Sequence, residues 1–230
     1  MTDALLSRLA ALETGQVSDV LDEVGLFHHA LSPSLRPLAP GKFAGRAVCA
    51  RGAATAEARH PRPALPGDTL ERLVGPNTVL FIESGDFVSG ALLGGFVAYS
   101  LQRRGCQAIV TDGAVRDADE IRGYGLPVIS GAVVPVNSSR RFRLTETDVP
   151  VSLPGTDGRV HVTPGDLVLG DGDGVIVVPA ADAEQLIADS EELARIERAI
   201  GEAMRAGGER PDVFKANPRF NHIRPLGGGQ

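Results

Sequence analysis

The chain has 230 residues, 43% of them hydrophobic and 23% charged, a composition that suits a globular α/β protein with a sizeable core. A formal charge of −6 argues against nucleic acid or an anionic membrane as the main partner, because both select basic surfaces. No apolar run approaches the ~20 residues of a membrane span, and Met1-Thr2-Asp3 lacks the basic start of a signal peptide, so a cytoplasmic protein is expected.

Leu5, Leu9 and Leu12 recur at helical spacing. A second short helix follows Thr14 as N-cap, with Val17, Val20, Leu21 and Val24 on one face and Gly25 closing it. Residues 31–45 are proline-rich and extended, and residues 47–49 read as a strand. The Pro/Arg/His stretch 58–68 reads as a surface loop ending in the Leu65-Pro66-Gly67-Asp68 turn. A buried strand over 79–82 ends in Glu83-Ser84-Gly85-Asp86. Gly90, Gly94 and Gly95 then open a helix with Leu93, Phe96, Val97 and Leu101 on one face, and Gly105 stops it. Residues 108–111 form another buried strand, with Asp112-Gly113 turning the chain at its carboxyl end. Two strands and the helix between them make a βαβ unit.

A short helix over 118–124 and short strands at Val128-Ile129 and Val133-Val134 come next, then a polar, irregular stretch over 137–159. Strands over 160–162, 167–169 and 175–178 are separated by Pro164-Gly165-Asp166 and by Asp171-Gly172-Asp173-Gly174. A long amphipathic helix from about residue 181 to 204 turns Ala183, Leu186, Ile187, Ser190, Leu193, Ile200 and Met204 inward. From Gly207 the chain is rich in Gly and Pro and reads as a tail that frays or lies across a neighbouring subunit. The expected organisation is one α/β domain with a mixed sheet over residues 1–206 and a C-terminal tail over residues 207–230.

Candidate chemistry gathers in Thr111-Asp112-Gly113-Ala114-Val115-Arg116-Asp117-Ala118-Asp119-Glu120, after a strand's carboxyl end, where open α/β sheets build their sites. Arg116 offers a planar fork matched to a carboxylate. Asp117 and Glu120 lie three apart and share a helix face, where they can hold a hard cation directly or through water. The alternative reading is a solvated first turn in which Asp117, Asp119 and Glu120 complement the helix dipole. One βαβ step earlier, Gly94 and Gly95 leave the backbone amides of Phe96 and Val97 open to an anion. A substrate carboxylate meeting those amides and the Arg116 guanidinium together is the expected arrangement.

Other motifs point nowhere. There is no GxxxxGK[ST], GxSxG or HExxH, and the five histidines show no paired-ligand spacing. Cys49 and Cys106 lie in or beside apolar runs and read as small buried thiols. Gly170-Asp171-Gly172-Asp173-Gly174 reads as a tight turn, since Val175 stands at the third ligand position of a calcium loop. Lys42 and Lys215, the only lysines, sit in loop-like or tail segments, which makes a Schiff-base aldolase unattractive.

The run 79–130 resembles the class II pyruvate aldolases acting on 4-hydroxy-4-methyl-2-oxoglutarate and 4-carboxy-4-hydroxy-2-oxoadipate. These share a fold with the regulator of ribonuclease E activity A and make up the RraA-like family. Its pattern is a glycine, twenty residues, Arg-Asp, two residues and an acid; here it falls on Gly95, Arg116-Asp117 and Glu120. Ile109-Val110-Thr111-Asp112-Gly113 and Pro127-Val128 also match, and similarity extends to Val17-Ser18-Asp19-Val20-Leu21-Asp22, Phe43-Ala44-Gly45-Arg46-Ala47-Val48 and Asp173-Gly174-Val175-Ile176-Val177-Val178-Pro179.

The resemblance implies a β/β/α swivelling-type sandwich with a mixed sheet, assembled as a homotrimer or homohexamer with sites between subunits. It implies that Arg116 and the Gly94-Gly95-Phe96-Val97 turn bind a small 2-oxo acid. Asp117 would ligate Mg2+ or Mn2+, with Glu120 supporting through water and an acid of a neighbouring subunit's C-terminal helix adding to the set: Glu197, or Glu191 or Glu192. The implied activity is metal-dependent retro-aldol cleavage of a 4-hydroxy-2-oxo acid to pyruvate, with oxaloacetate decarboxylation alongside. The alternative is a non-enzymatic, protein-binding regulator like the ribonuclease E inhibitor. Two departures stand out. Family aldolases carry an acid where Gly95 stands, and often a tryptophan where Leu93 stands.

Overall fold

The computed structural model describes residues 2–39, 41–55 and 65–227. Its elements, in chain order, begin with α1 (Thr2–Ala10), α2 (Thr14–Glu23), β1 (Arg36–Pro37), β2 (Phe43–Ala54) and α3 (Thr69–Leu73). The central unit is β3 (Thr78–Glu83), β4 (Ala91–Leu93), α4 (Gly95–Arg103), β5 (Cys106–Val115), α5 (Ala118–Tyr124) and β6 (Val128–Val133). It is followed by β7 (Phe142–Thr147), β8 (Val151–Pro154), β9 (Arg159–Val162), β10 (Leu167–Gly170), β11 (Val175–Val178), α6 (Ala183–Arg205) and α7 (Arg210–Ala216). Among the described residues no helix is long and apolar enough to cross a membrane.

One mixed sheet organises the molecule in the order β1-β6-β5-β3-β2-β10-β11, with β4 paired to β5 and β7 to β2. The centre is parallel, β2 to β3 to β5 to β6, and the flanking pairs β2–β10, β10–β11, β2–β7 and β1–β6 are antiparallel. The central strands are covered on both faces, so their sequences run apolar without a polar alternate. Within β3, Val79 and Phe81 face a layer holding the β8–β9 hairpin, through Val151, Leu153, Val160 and Val162. Leu80 and Ile82 face the opposite way, toward Leu70 of α3, Ala98 and Leu101 of α4 and Ile121 of α5. Hairpin, sheet and helices thus stack as the expected α/β sandwich. A third cluster packs α1, α2 and α6 onto β10 and β11, through Leu9, Val20, Leu186 and Leu193 against Leu167, Leu169, Ile176 and Val178.

Several expectations need correction. The second helix is capped by Glu13, whose side chain and that of Gln16 form a reciprocal box, while Thr14 is the first helical residue and donates through N–H and hydroxyl to Asp171. The strand read over 47–49 runs through the whole of β2, and α3 follows the 65–68 turn unannounced. Most of the loop read over 58–68 lies outside the described residues. The stretch 137–159 is not irregular: it carries β7 and β8. Met204 is 38% exposed and does not face the core.

The segment after Gly207 is no fraying tail. It forms α7 and then lays Phe220, Ile223 and Leu226 against the α1–α2–α6 cluster. Arg219 anchors it, pairing with Asp19 of α2 and Glu197 of α6. Earlier along α6, Arg8 of α1 pairs with Glu191 at 2.8 Å. The hydrogen bond from Arg8 holds the Glu191 carboxyl below its ordinary value near 4.5. A carboxyl depressed in the folded state adds stability that is present above its unfolded value and lost as pH falls through the folded one. Protection of the α1 amides, taken as exchange relative to the unstructured rate at each pH, should therefore fall as the pH drops below about 4.5, and Arg8→Ala should remove most of that fall. The effect is small, because the pair is part-exposed.

Candidate active site

The site lies where β4, α4, β5 and α5 meet. Asp112-Gly113 does not turn the chain, as the sequence suggests. The Asp112 carboxylate, 2% exposed, accepts hydrogen bonds from Ser84 N–H (2.6 Å), Ser84 hydroxyl (2.7 Å) and Asp86 N–H (3.0 Å). That fixes the 84–86 turn beside β5 and lets β5 continue to Val115, with an irregularity against β6 between Thr111 and Ala114. The short strand β4 then pairs with the extension, and Arg116 N–H donates to the Leu93 carbonyl at 3.1 Å. Arg116 and Asp117 thereby emerge directly beside Gly94, the N-cap of α4.

Asp117 has left-handed backbone dihedrals (φ 58°, ψ 41°), uncommon for a residue other than glycine. It stands at the N-cap of α5 but caps nothing there. Its carboxylate reaches across instead to accept the Gly95 N–H at 3.0 Å, with Arg116 Nε 3.5 Å away. Glu120, one turn on, accepts from the Tyr124 hydroxyl at 2.5 Å, and that bond pushes the phenol up to about 12. Both carboxylates close on the same two residues. A Cβ on Gly94 would collide with Asp117 Oδ2 and sit 2.9 Å from Arg116 Nε, and one on Gly95 would collide with Glu120 Oε2.

The structure therefore brings Arg116, Asp117, Glu120, Gly94 and Gly95 together. The expected inward face of α4 changes, since Leu93 belongs to β4 and the Phe96 side chain is 86% exposed. Phe96 and Val97 still offer first-turn amides, which a helix leaves without internal partners. Asp119 follows the plainer reading: its fully exposed carboxylate pairs with Arg122. Glu197 does not come to the site within the chain, being held by Arg219 at 2.5 Å and Gln16 at 3.1 Å. Glu191 and Glu192 are likewise engaged, by Arg8 and Arg195.

Among the described residues no group of three or more His, Cys, Asp or Glu side chains gathers to hold a metal. Asp117 and Glu120 are nevertheless a donor pair suited to a hard divalent cation, because Mg2+ is commonly held by one or two carboxylates and keeps several waters. The Gly94–Gly95 step carries no side chain, and one there would collide with both carboxylates. Cys49 and Cys106 are excluded as nucleophiles: burial pushes their thiols up to about 12 and about 11. Gly170–Gly174 is a turn as expected, with Asp171 turned onto Thr14 and the Asp173 amide.

On the far side of Arg116 a cavity of about 270 Å³ opens, lined by Gly94, Val97, Arg116, Asn137, Ser138 and Ser139 over an apolar floor. Sequence reading missed the 137–139 contribution. The only signal was the polar run Asn137-Ser138-Ser139-Arg140-Arg141 ahead of Phe142.

The Aldolase/RraA profile matches residues 14–177, which span this whole arrangement. The chain belongs to the RraA-like family. A relative from Thermus thermophilus, named 4-hydroxy-4-methyl-2-oxoglutarate aldolase, is 35% identical over 105 residues, covering 46% of this chain and 61% of that protein. The match thus spans about three fifths of that relative's length. The structure of Streptomyces coelicolor RraAS2, described as an unusual member of the RNase ES inhibitor RraA protein family, superposes with a TM-score of 0.77 at 27% identity. It covers 88% of this chain and 98% of that one. An uncharacterised protein of Pseudomonas syringae pv. tomato shares the fold at TM-score 0.79 and 22% identity, over 93% of this chain and 98% of its own.

Proposed function

We propose that this RraA-like chain is a divalent-metal-dependent lyase that cleaves a 4-hydroxy-2-oxo acid to pyruvate and also decarboxylates oxaloacetate. The observation that carries the reading is the convergence of two carboxylates, Asp117 and Glu120, on the side-chain-free Gly94–Gly95 step beside the Arg116 fork. The relative named as a 4-hydroxy-4-methyl-2-oxoglutarate aldolase supports it.

In this reading the substrate carboxylate lies between the Arg116 guanidinium and the Phe96 and Val97 amides. The Gly95 amide holds Asp117, and Tyr124 holds Glu120, so both acids are oriented before substrate arrives. Mg2+ or Mn2+ bound by Asp117, with Glu120 acting through water, would supply Lewis-acid stabilisation of negative charge developing on the 2-oxo oxygen. The C3–C4 bond breaks, its electron pair passes into the 2-oxo group, the 4-hydroxyl loses its proton, and C3 is protonated to give pyruvate. Loss of CO2 from oxaloacetate leaves the same charge in the same place, which is why one site serves both reactions.

Pyruvate release from oxaloacetate and from 4-hydroxy-4-methyl-2-oxoglutarate, with Mg2+ and with chelator, tests the reading. Metal-dependent release from either supports it, and no release from either removes it. Arg116→Lys should lower kcat/KM about 100-fold, because a point charge does not replace the planar fork; an unchanged value would take Arg116 out of substrate binding.

We further place the working form as a homotrimer or homohexamer. Phe96 and Val133, 86% and 53% exposed at the rim of the site, are apolar side chains suited to burial by another copy. Light scattering at three or six times the chain mass is the expected result. The likeness to a member of the RNase inhibitor family favours a second reading, a non-enzymatic regulator. That reading predicts a stable complex with a larger protein, formed equally well in chelator.

A further inference from the structure

Glu120 is exposed on the first turn of α5, where a long, flexible side chain ordinarily samples solvent. Here its carboxylate is placed at both oxygens. Oε1 accepts the Tyr124 hydroxyl at 2.5 Å, from one helical turn further along the same face. Oε2 lies over Gly95, so close that a Cβ there would collide with it, and the three atoms nearest to such a Cβ all belong to Glu120. Asp117 Oδ2 stands in the same relation to the adjoining Gly94. The two carboxylates therefore lie side by side along one bare step of backbone.

Tyr124 is itself held by α4, the helix that Gly95 opens. Its ring packs against Tyr99 with centroids 5.2 Å apart, and Arg103 lies over the Tyr99 ring at 5.9 Å. The Gln102 side-chain amide donates to the Tyr124 carbonyl. One helix thus carries both the step where Glu120 rests and the residues that fix its tether. Resting on the metal-dependent lyase reading, we propose that Tyr124 is a positioning residue that makes Asp117 and Glu120 act as one cation-binding pair. Its hydroxyl keeps the Glu120 carboxylate beside Asp117, and Gly95 is bare because that carboxylate needs the place. A carboxylate already in position loses less freedom on meeting a cation, and losing a partner of this kind changes metal affinity or activity by about 10- to 100-fold.

The test is Tyr124→Phe, which removes one oxygen and leaves the Tyr99 contact and the Gln102 bond to the backbone in place. Calorimetry without substrate should show the Mn2+ dissociation constant rising about 10-fold. Pyruvate release from oxaloacetate, above the protein-free rate, should fall by a similar factor at low Mn2+ and recover at high Mn2+. The melting temperature should stay within about 2 °C of wild type. Gly95→Ala should weaken Mn2+ binding similarly, because its methyl group pushes the same carboxylate from the other side. In Glu120→Ala, with no carboxylate left to hold, adding Tyr124→Phe should change nothing further. Unchanged Mn2+ binding in Tyr124→Phe or Gly95→Ala, or a full further loss in the double variant, would overturn the inference and leave the lyase standing. Lost stability at unchanged Mn2+ affinity would make Tyr124 a packing residue and overturn it too. Failure of wild type to bind Mn2+ or to release pyruvate would remove the metal-dependent lyase reading, and this inference with it.

Discussion

Replacing Asp117 by Asn is expected to cut pyruvate release about 1,000-fold while the protein melts within about 2 °C of wild type. The choice of Asn follows from the backbone. Residue 117 has φ 58°, which Asn tolerates, whereas a residue such as Ala there would add about 1–2 kcal/mol of strain. The Asn side-chain oxygen can still accept the Gly95 N–H that Asp117 accepts at 3.0 Å, so the tie between α4 and α5 survives. What disappears is one negative charge. If that charge holds a divalent cation, Mn2+ titration of the variant should show markedly weaker binding, and adding chelator to wild type should bring its activity down to the variant's level. Full turnover by the variant would take Asp117 out of the site. Asp117→Ala, read alone, would mix loss of charge with backbone strain.

Gly94→Ala should be the second most damaging change, about 100-fold in kcat/KM, with little loss of stability. The backbone at Gly94 (φ −138°, ψ −165°) is ordinary extended chain, so alanine fits it without strain. Damage comes entirely from the methyl group, which would collide with Asp117 Oδ2 and crowd Arg116 Cγ and Nε at 2.9 Å. Both side chains are about two-fifths exposed and can swing into solvent, so the fold adjusts at low cost. The geometry of the carboxylate-binding corner does not. A Gly94→Ala protein with wild-type kcat/KM would mean that these side chains are not held in working positions in the free protein.

The features that were legible in sequence are those with a local or strictly periodic cause. Buried parallel strands such as β3 and β5 declare themselves as short apolar runs between turn residues. The Arg116-Asp117 and Glu120 spacing follows from one helical turn. What stayed hidden depends on partners distant in the chain. Asp112-Gly113 carries the signature of a turn, yet Ser84 and Asp86, 28 and 26 residues earlier, hold the Asp112 carboxylate so that the strand runs on. The helical face drawn through Leu93 and Phe96 fails because three residues, 91–93, form a strand too short to show alternation. The true inner stripe, Ala98 and Leu101, is too modest to compete on hydrophobicity. In β7 only Phe142 is buried, so the alternation that marks a half-buried strand is missing. Asn137, Ser138 and Ser139 reach the site through an irregular loop, and such loops have no period to read.

The docking of the last residues onto the first has a consequence for how the chain becomes a protein. Arg8 pairs with Glu191 and Arg219 with Asp19, across 183 and 200 positions of sequence. The apolar faces of α1 and α2 find β10, β11 and α6 only when nearly the whole chain has been made. The first two helices must therefore wait, unpartnered, through most of synthesis, and the non-local closure that ends their wait is the slow kind of step in folding. The final stretch works as a clasp: a chain stopped short of Arg219 would leave its opening helices loosely held, far from the cut.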